Sequence, residues 1–159
     1  NDLVGCDDRR SKHDRKLHKV DELSENKSAM DDPYLPLLQE AISRAHAPYS
    51  GFPVSAVVRG VSGAFYSGVN VENAAYPQGW CAEASALSAM VLAGETELDE
   101  VAVMANGAAI CTPCGGCRQK IREFASGKTR ILCYGPEGLR ATYTLDDLLP
   151  HSFGPDHLK

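Results

Sequence analysis

The sequence predicts a three-layer α/β/α sandwich with a mixed central β-sheet, and three observations predict it. Apolar residues recur at helical spacing ahead of Pro48. Two short β-branched and aromatic runs flank a tetrapeptide with glycine at each end, residues 60–63. From residue 82 onward, helix-type and strand-type segments alternate. The order α-β-β-α-β-α-β places a sheet between covering helices.

Residues 35–47 carry Leu35, Leu38, Ala41, Ile42 and Ala45 along one helical stripe, which Pro48 terminates. Segments 54–59 and 64–71 read as a hairpin around Gly60-Val61-Ser62-Gly63. Residues 82–93, dominated by Ala, Leu and Met, make a buried helix, with Gly94 where a left-handed stop belongs. A strand at 100–106, a helix from about Cys114 to before Gly127, and a strand at 130–134 complete the central pattern. Residues 141–144 add an edge strand and 145–149 a short final helix. There is no internal repeat.

At 159 residues and 43% hydrophobic composition, the chain suits one domain with a single core. Residues 1–29 differ, with seven acidic and seven basic residues and no aromatic one. They are expected to be disordered, as an added leader ahead of a start at Met30 or as a natural extension. Residues 30–159 then form the folded domain. No run approaches the roughly 18 to 20 apolar residues that span a bilayer, and no secretory-type apolar segment opens the chain. A soluble cytoplasmic protein is therefore expected, with no membrane partner. A cytosol keeps thiols reduced, so six cysteines point to metal binding or catalysis in place of disulfides, with Cys6 a bystander. The net charge of -5 argues against a nucleic acid polymer as partner and for a small substrate.

Chemistry concentrates in Cys81-Ala82-Glu83 and, 33 residues later, Pro113-Cys114-Gly115-Gly116-Cys117. Both segments open predicted helices. Cys114 and Cys117 sit one turn apart, and Cys81 joins them if the two helix N-termini converge. Zinc suits three thiolates and keeps one tetrahedral corner for water, which marks a catalytic site. Helix N-termini favour the ionised sulfurs. Three thiolates on a divalent cation leave a formal charge of -1, which Arg118 is placed to offset by hydrogen-bonding a ligand sulfur. Glu83, two residues after the first ligand, stands beside the open corner as a proton shuttle. The competing reading is a closed structural zinc site with Cys111 as fourth ligand. Cys133, in a predicted strand, reads as a small buried apolar residue. His46, His151 and His157 match no ligand position.

At these residues the sequence resembles the small homotetrameric cytidine deaminases, over roughly 34–155. The first ligand being Cys81 in place of His is similar to the three-cysteine branch. The resemblance implies a cytidine deaminase-like fold and one zinc ion per subunit. It also implies hydrolytic deamination of cytidine, and of deoxycytidine, to the uridine with loss of ammonia, a pyrimidine salvage reaction. Water made nucleophilic at the metal attacks C4 of the base while Glu83 moves protons. The resemblance implies that Asn70 and Glu72 hold the ribose hydroxyls, that Phe52 walls the pocket, and that Tyr49 and Ala82 contact the nucleoside. Phe153 and Tyr76 would complete a neighbouring subunit's pocket in a homotetramer. One departure is Ala84, where many relatives carry Arg. Either Arg118 suffices as counter-charge or the bound water is slightly less acidic. Deamination of a related aminopyrimidine nucleoside such as blasticidin S uses the same chemistry and is the alternative; a non-enzymatic structural zinc protein is the distant one.

Overall fold

Helix α1 (Tyr34–Ile42) precedes a hairpin of β1 (Val54–Gly60) and β2 (Phe65–Val69). Then follow α2 (Ala82–Leu92), β3 (Leu98–Ala105), α3 (Gly115–Phe124), β4 (Arg130–Gly135), β5 (Gly138–Thr144) and the one-turn α4 (Leu145–Leu148). This computed structural model describes residues 32–158. The expected leader or extension at 1–29, with Cys6, lies outside the described residues.

The strands lie in the order β2-β1-β3-β4-β5. β1 runs antiparallel to β2 and β3, β3 and β4 are parallel, and β5 returns antiparallel along the edge. A parallel neighbour demands a crossover, and α3 supplies it between β3 and β4. Because strand side chains alternate, each central strand feeds two cores. Ala56, Val58, Val101, Val103, Ile131 and Cys133 pack with Ala86, Leu87 and Met90 of α2 and Ile121 of α3. Val57, Ala102, Met104, Leu132 and Tyr134 pack with Tyr34 and Leu38 of α1. One helix on one face and two on the other give the three layers that the element order predicts.

Of the boundaries that differ from expectation, two share one cause. The first helix stops at Ile42 and not at residue 47; the second strand stops at Val69 and not at residue 71. The backbone between these limits pairs with itself. The His46 N–H donates to Asn70 O at 3.0 Å, and the Glu72 N–H to His46 O at 2.7 Å. Apolar spacing had run on through Ala45 and Val71, but both segments are committed to an isolated bridge that aims residues 70–72. A short 3₁₀ turn at Tyr76–Gln78, absent from the expected elements, then leads to α2. Among the described residues, no helix is long and apolar enough to cross a membrane.

The depth at which α2 sits is set by Gly68 of β2. A Cβ there would lie 2.3 Å from Ala86 N and 2.4 Å from Ala82 O, inside any allowed contact. Gly68→Ala should therefore push α2 outward and cost about 1–3 kcal/mol, the usual range for overpacking. Urea unfolding of the variant beside the parent measures it.

Candidate metal centre and active site

Cys81 and Cys114 are the N-caps of α2 and α3, both in extended conformation. Cys117 lies in the first turn of α3, fully buried. Both helices cover the same face of the sheet, and their N-termini meet. All three Sγ atoms fall within 4.8 Å of one another. Cys81 Sγ and Cys114 Sγ are 3.8 Å apart. A tetrahedral cation with zinc–sulfur bonds of about 2.3 Å separates its sulfurs by about 3.8 Å, so the donor set fits zinc in element and spacing.

Electrostatics point the same way. Burial, reinforced by the charge of Glu83 and the other two sulfurs, pushes the Cys117 thiol up. Burial likewise raises Cys81. Burial also opposes ionisation of Cys114, but hydrogen bonds from the Cys117 backbone N–H and from the Cys117 and Cys81 thiols hold it below the usual thiol value. One sulfur ionises readily and two resist, so a divalent cation is the group that would hold all three as thiolates. Glu83 is only 4% exposed, and Cys117 Sγ donates to its Oε2 at 3.3 Å. Cys111 is not part of the sulfur cluster: among the described residues the group holds Cys81, Cys114 and Cys117 alone. The closed four-ligand alternative therefore lacks its fourth ligand.

The triad opens onto a cleft of about 370 Å³, within the range of small-molecule sites. Asn70, Glu72, Ala82 and Glu83 line it, and so does Tyr76, which was expected to serve a neighbouring subunit's pocket. A recess of about 360 Å³ adjoins it, sharing Glu72 and Tyr76 and adding Tyr49. Tyr49 and Tyr76 meet edge-on at 5.8 Å between ring centroids. Asn70 and Glu72 lie just beyond β2 rather than in it, and the bridged Val71 between them keeps the chain extended. Both side chains also brace the loop before β1. Asn70 Oδ1 accepts from the Val54 N–H at 2.8 Å, and Nδ2 donates to Phe52 O at 3.0 Å. Glu72 accepts from the Tyr49 N–H at 2.8 Å, the Ser50 N–H at 3.2 Å and the Ser50 hydroxyl. The Ser50 hydroxyl, then the Tyr49 N–H, hold the Glu72 carboxyl below its ordinary range, so it remains an acceptor.

Two expectations need correction. Arg118 does not donate to a ligand sulfur. Its guanidinium is spent on Pro113 O at 2.7 Å, Leu148 O at 2.7 Å and Thr112 Oγ1 at 3.1 Å. The three bonds pin the loop carrying Cys114 to the end of α4. Phe52 does not wall the cleft. It is 45% exposed, its ring edge lies 3.5 Å from where a Cβ on Gly107 would sit, and it meets Asn70 through its backbone carbonyl. Phe153 is outside its own chain's cleft and stacks on His157 at 5.0 Å. Sequence reasoning passed over Trp80, half exposed in the cleft wall and tied to Val71 by backbone bonds of 2.9 and 2.8 Å. Its place directly before Cys81 was the available signal.

A family model described as "Cytidine and deoxycytidylate deaminase zinc-binding region" matches residues 29–133. The chain is 36% identical over 117 residues to the cytidine deaminase of Mycoplasma genitalium, covering 73% of this chain and 89% of that protein. It is 39% identical over 118 residues to the cytidine deaminase of Mycoplasma pneumoniae, covering 73% and 88% respectively. The crystal structure of cytidine deaminase from Burkholderia pseudomallei superposes with a TM-score of 0.70 at 32% identity, covering 75% of this chain and 95% of that one.

Replacing Cys114 or Cys117 by Ser should remove stoichiometric zinc from the purified protein, whereas Cys111→Ser should retain one ion per chain. Elemental analysis after dialysis distinguishes a three-sulfur centre from a four-sulfur one.

Proposed function

The chain belongs to the cytidine and deoxycytidylate deaminase family, and from that membership we propose that it hydrolyses cytidine, and also deoxycytidine, to the corresponding uridine and ammonia. The observation that carries this reading is the meeting of three sulfurs from two helix N-termini on a cleft that Glu83 also lines. Cys81, Cys114 and Cys117 would hold the zinc, and bound there it supplies the Lewis acidity that makes water a nucleophile near neutral pH.

The remaining work falls to the protein's own groups. Glu83 carries protons. Its Oε2 accepts the Cys117 thiol hydrogen bond, a donor that is lost when that sulfur is held as a thiolate, and the free carboxylate would then take a proton from the attacking water, deliver it to the ring nitrogen, and pass the water's second proton to the leaving amine. Its enclosure keeps bulk water from competing for that proton. Glu72, held anionic, accepts from ribose hydroxyls with the lone pairs that Tyr49 and Ser50 leave over, and Asn70 offers its second N–H and second lone pair. Tyr49, Tyr76 and Trp80 give flat apolar surface for the nucleoside.

We propose further that the protein acts in the cytoplasm, in pyrimidine salvage, as a homotetramer with pockets shared between subunits. Supporting self-association, Trp80, Leu87, Val91, Leu92 and Phe124 form a largely apolar groove of about 560 Å³ along α2 and α3. Phe153, 55% exposed and away from its own cleft, is available to a neighbour.

Glu83→Gln should retain zinc and fold while turnover of cytidine falls roughly 10²- to 10⁴-fold, the range for a lost general acid-base group. Release of uridine followed by ultraviolet absorbance reads it, and near-parental turnover would end the assigned role. Light scattering should give four chain masses, and Phe153→Ala should raise KM for cytidine with zinc content unchanged; a monomer, or an unaltered KM, contradicts the shared pocket.

A further inference from the structure

Three thiolates and one divalent cation carry a net charge of -1, and a partly enclosed centre of that charge calls for a neighbouring cation. Arg118 bonds no ligand sulfur, since its donors go to oxygen, which leaves direct pairing with the sulfurs to another cation. Resting on the zinc reading above, we propose that Lys120 is a positioning residue that supplies the counter-charge to the sulfur centre from the Cys81 side.

Lys120 lies on α3 three residues beyond Cys117, and helical side chains lean toward their own N-terminus. Its Nζ accordingly sits 3.6 Å from where a Cβ on Gly116 would stand, above the turn that bears both Cys114 and Cys117. It also borders a small pocket of about 230 Å³ with Trp80, Cys81 and Ala84. Among the described residues Lys120 forms no salt bridge. A helix N-terminus repels a cation, so nothing in α3's own dipole favours an ammonium over this turn. A cluster of ionised sulfurs does. Ala84 brings only a methyl group to the pocket that Cys81 and Lys120 both line, so no second side-chain charge competes there with the ammonium.

Zinc affinity is the test, measured on full-length protein by competition with a chromophoric chelator. Lys120→Met should weaken zinc 10- to 100-fold, the usual effect of removing an outer partner of a metal ligand. Lys120→Glu should weaken it further, and Lys120→Arg should stay within about threefold of the parent. Ala84→Arg placed in the Lys120→Met background should recover affinity, because a cation would re-enter the same pocket. The thiolate-to-metal absorption of the cobalt-loaded protein should shift in Lys120→Met and return in Lys120→Arg, which a purely structural role would not do. If Lys120→Met binds zinc and absorbs as the parent does while Cys117→Ser loses the metal, the proposal is overturned and the zinc centre stands. If the parent itself takes up no zinc, the underlying reading fails with it.

Discussion

The architecture turns on one constraint: two helix N-termini must meet so that sulfurs 33 residues apart in sequence share a single point. Cys81 and Cys114 stand at N-cap positions where Ser, Thr, Asp or Asn is the usual residue. Their extended backbone instead turns each sulfur outward from the helix start, toward the other. The unpaired amides of α3 still contribute, because the Cys117 N–H bonds the Cys114 sulfur and stabilises its thiolate. A zinc ion held by these three sulfurs would couple its binding free energy to the meeting of the two helix starts.

That meeting is possible because of how the sheet is wired. β3 and β4 are parallel, and the crossover between them lays α3 on the face that α2 already covers. Gly68 then lets α2 sink until backbone nearly touches backbone. The far face, packed by Tyr34 and Leu38, needs no such approach and holds no ligand. Division of labour between faces thus begins with strand alternation. Odd and even positions of the same strand feed different cores, and only one core supports chemistry.

Periodicity and spacing revealed much of this. The hairpin, the Ala-rich helix ending before Gly94 and the parallel strands follow from local patterns, since these segments are decided by side-chain alternation and helix stops. Gly94 indeed takes a positive φ of 88°. The ends of α1 and β2 were not legible, because a long-range bridge between His46 and residues 70–72 overrides local apolar spacing. Among site residues, the cysteines and Glu83 announced themselves through sequence distance alone. Arg118 and Phe52 did not follow expectation, for a related reason: a motif gives a residue's neighbourhood, not its acceptor. Arg118 found two carbonyls within 2.7 Å, and Phe52 is recruited by its backbone.

Asn70 and Glu72 line the cleft and at the same time hold the fold around it. Asn70 and Glu72 are fastened to the loop before β1, so they cannot adopt alternative rotamers without releasing Phe52, Val54, Tyr49 and Ser50. An amide and a carboxylate free in solvent would lose rotamer entropy on gripping a sugar; here that loss is already incurred in folding. The cost is paid in capacity, because each bond to the loop removes one that a ribose could have used. Glu72 tolerates this because a carboxylate offers about four acceptor sites. Asn70, with fewer, is left one donor and one acceptor, the complement of a single hydroxyl group. The pair therefore keeps a small, fixed set of donors and acceptors at the cleft, set by the bonds that the loop has already taken.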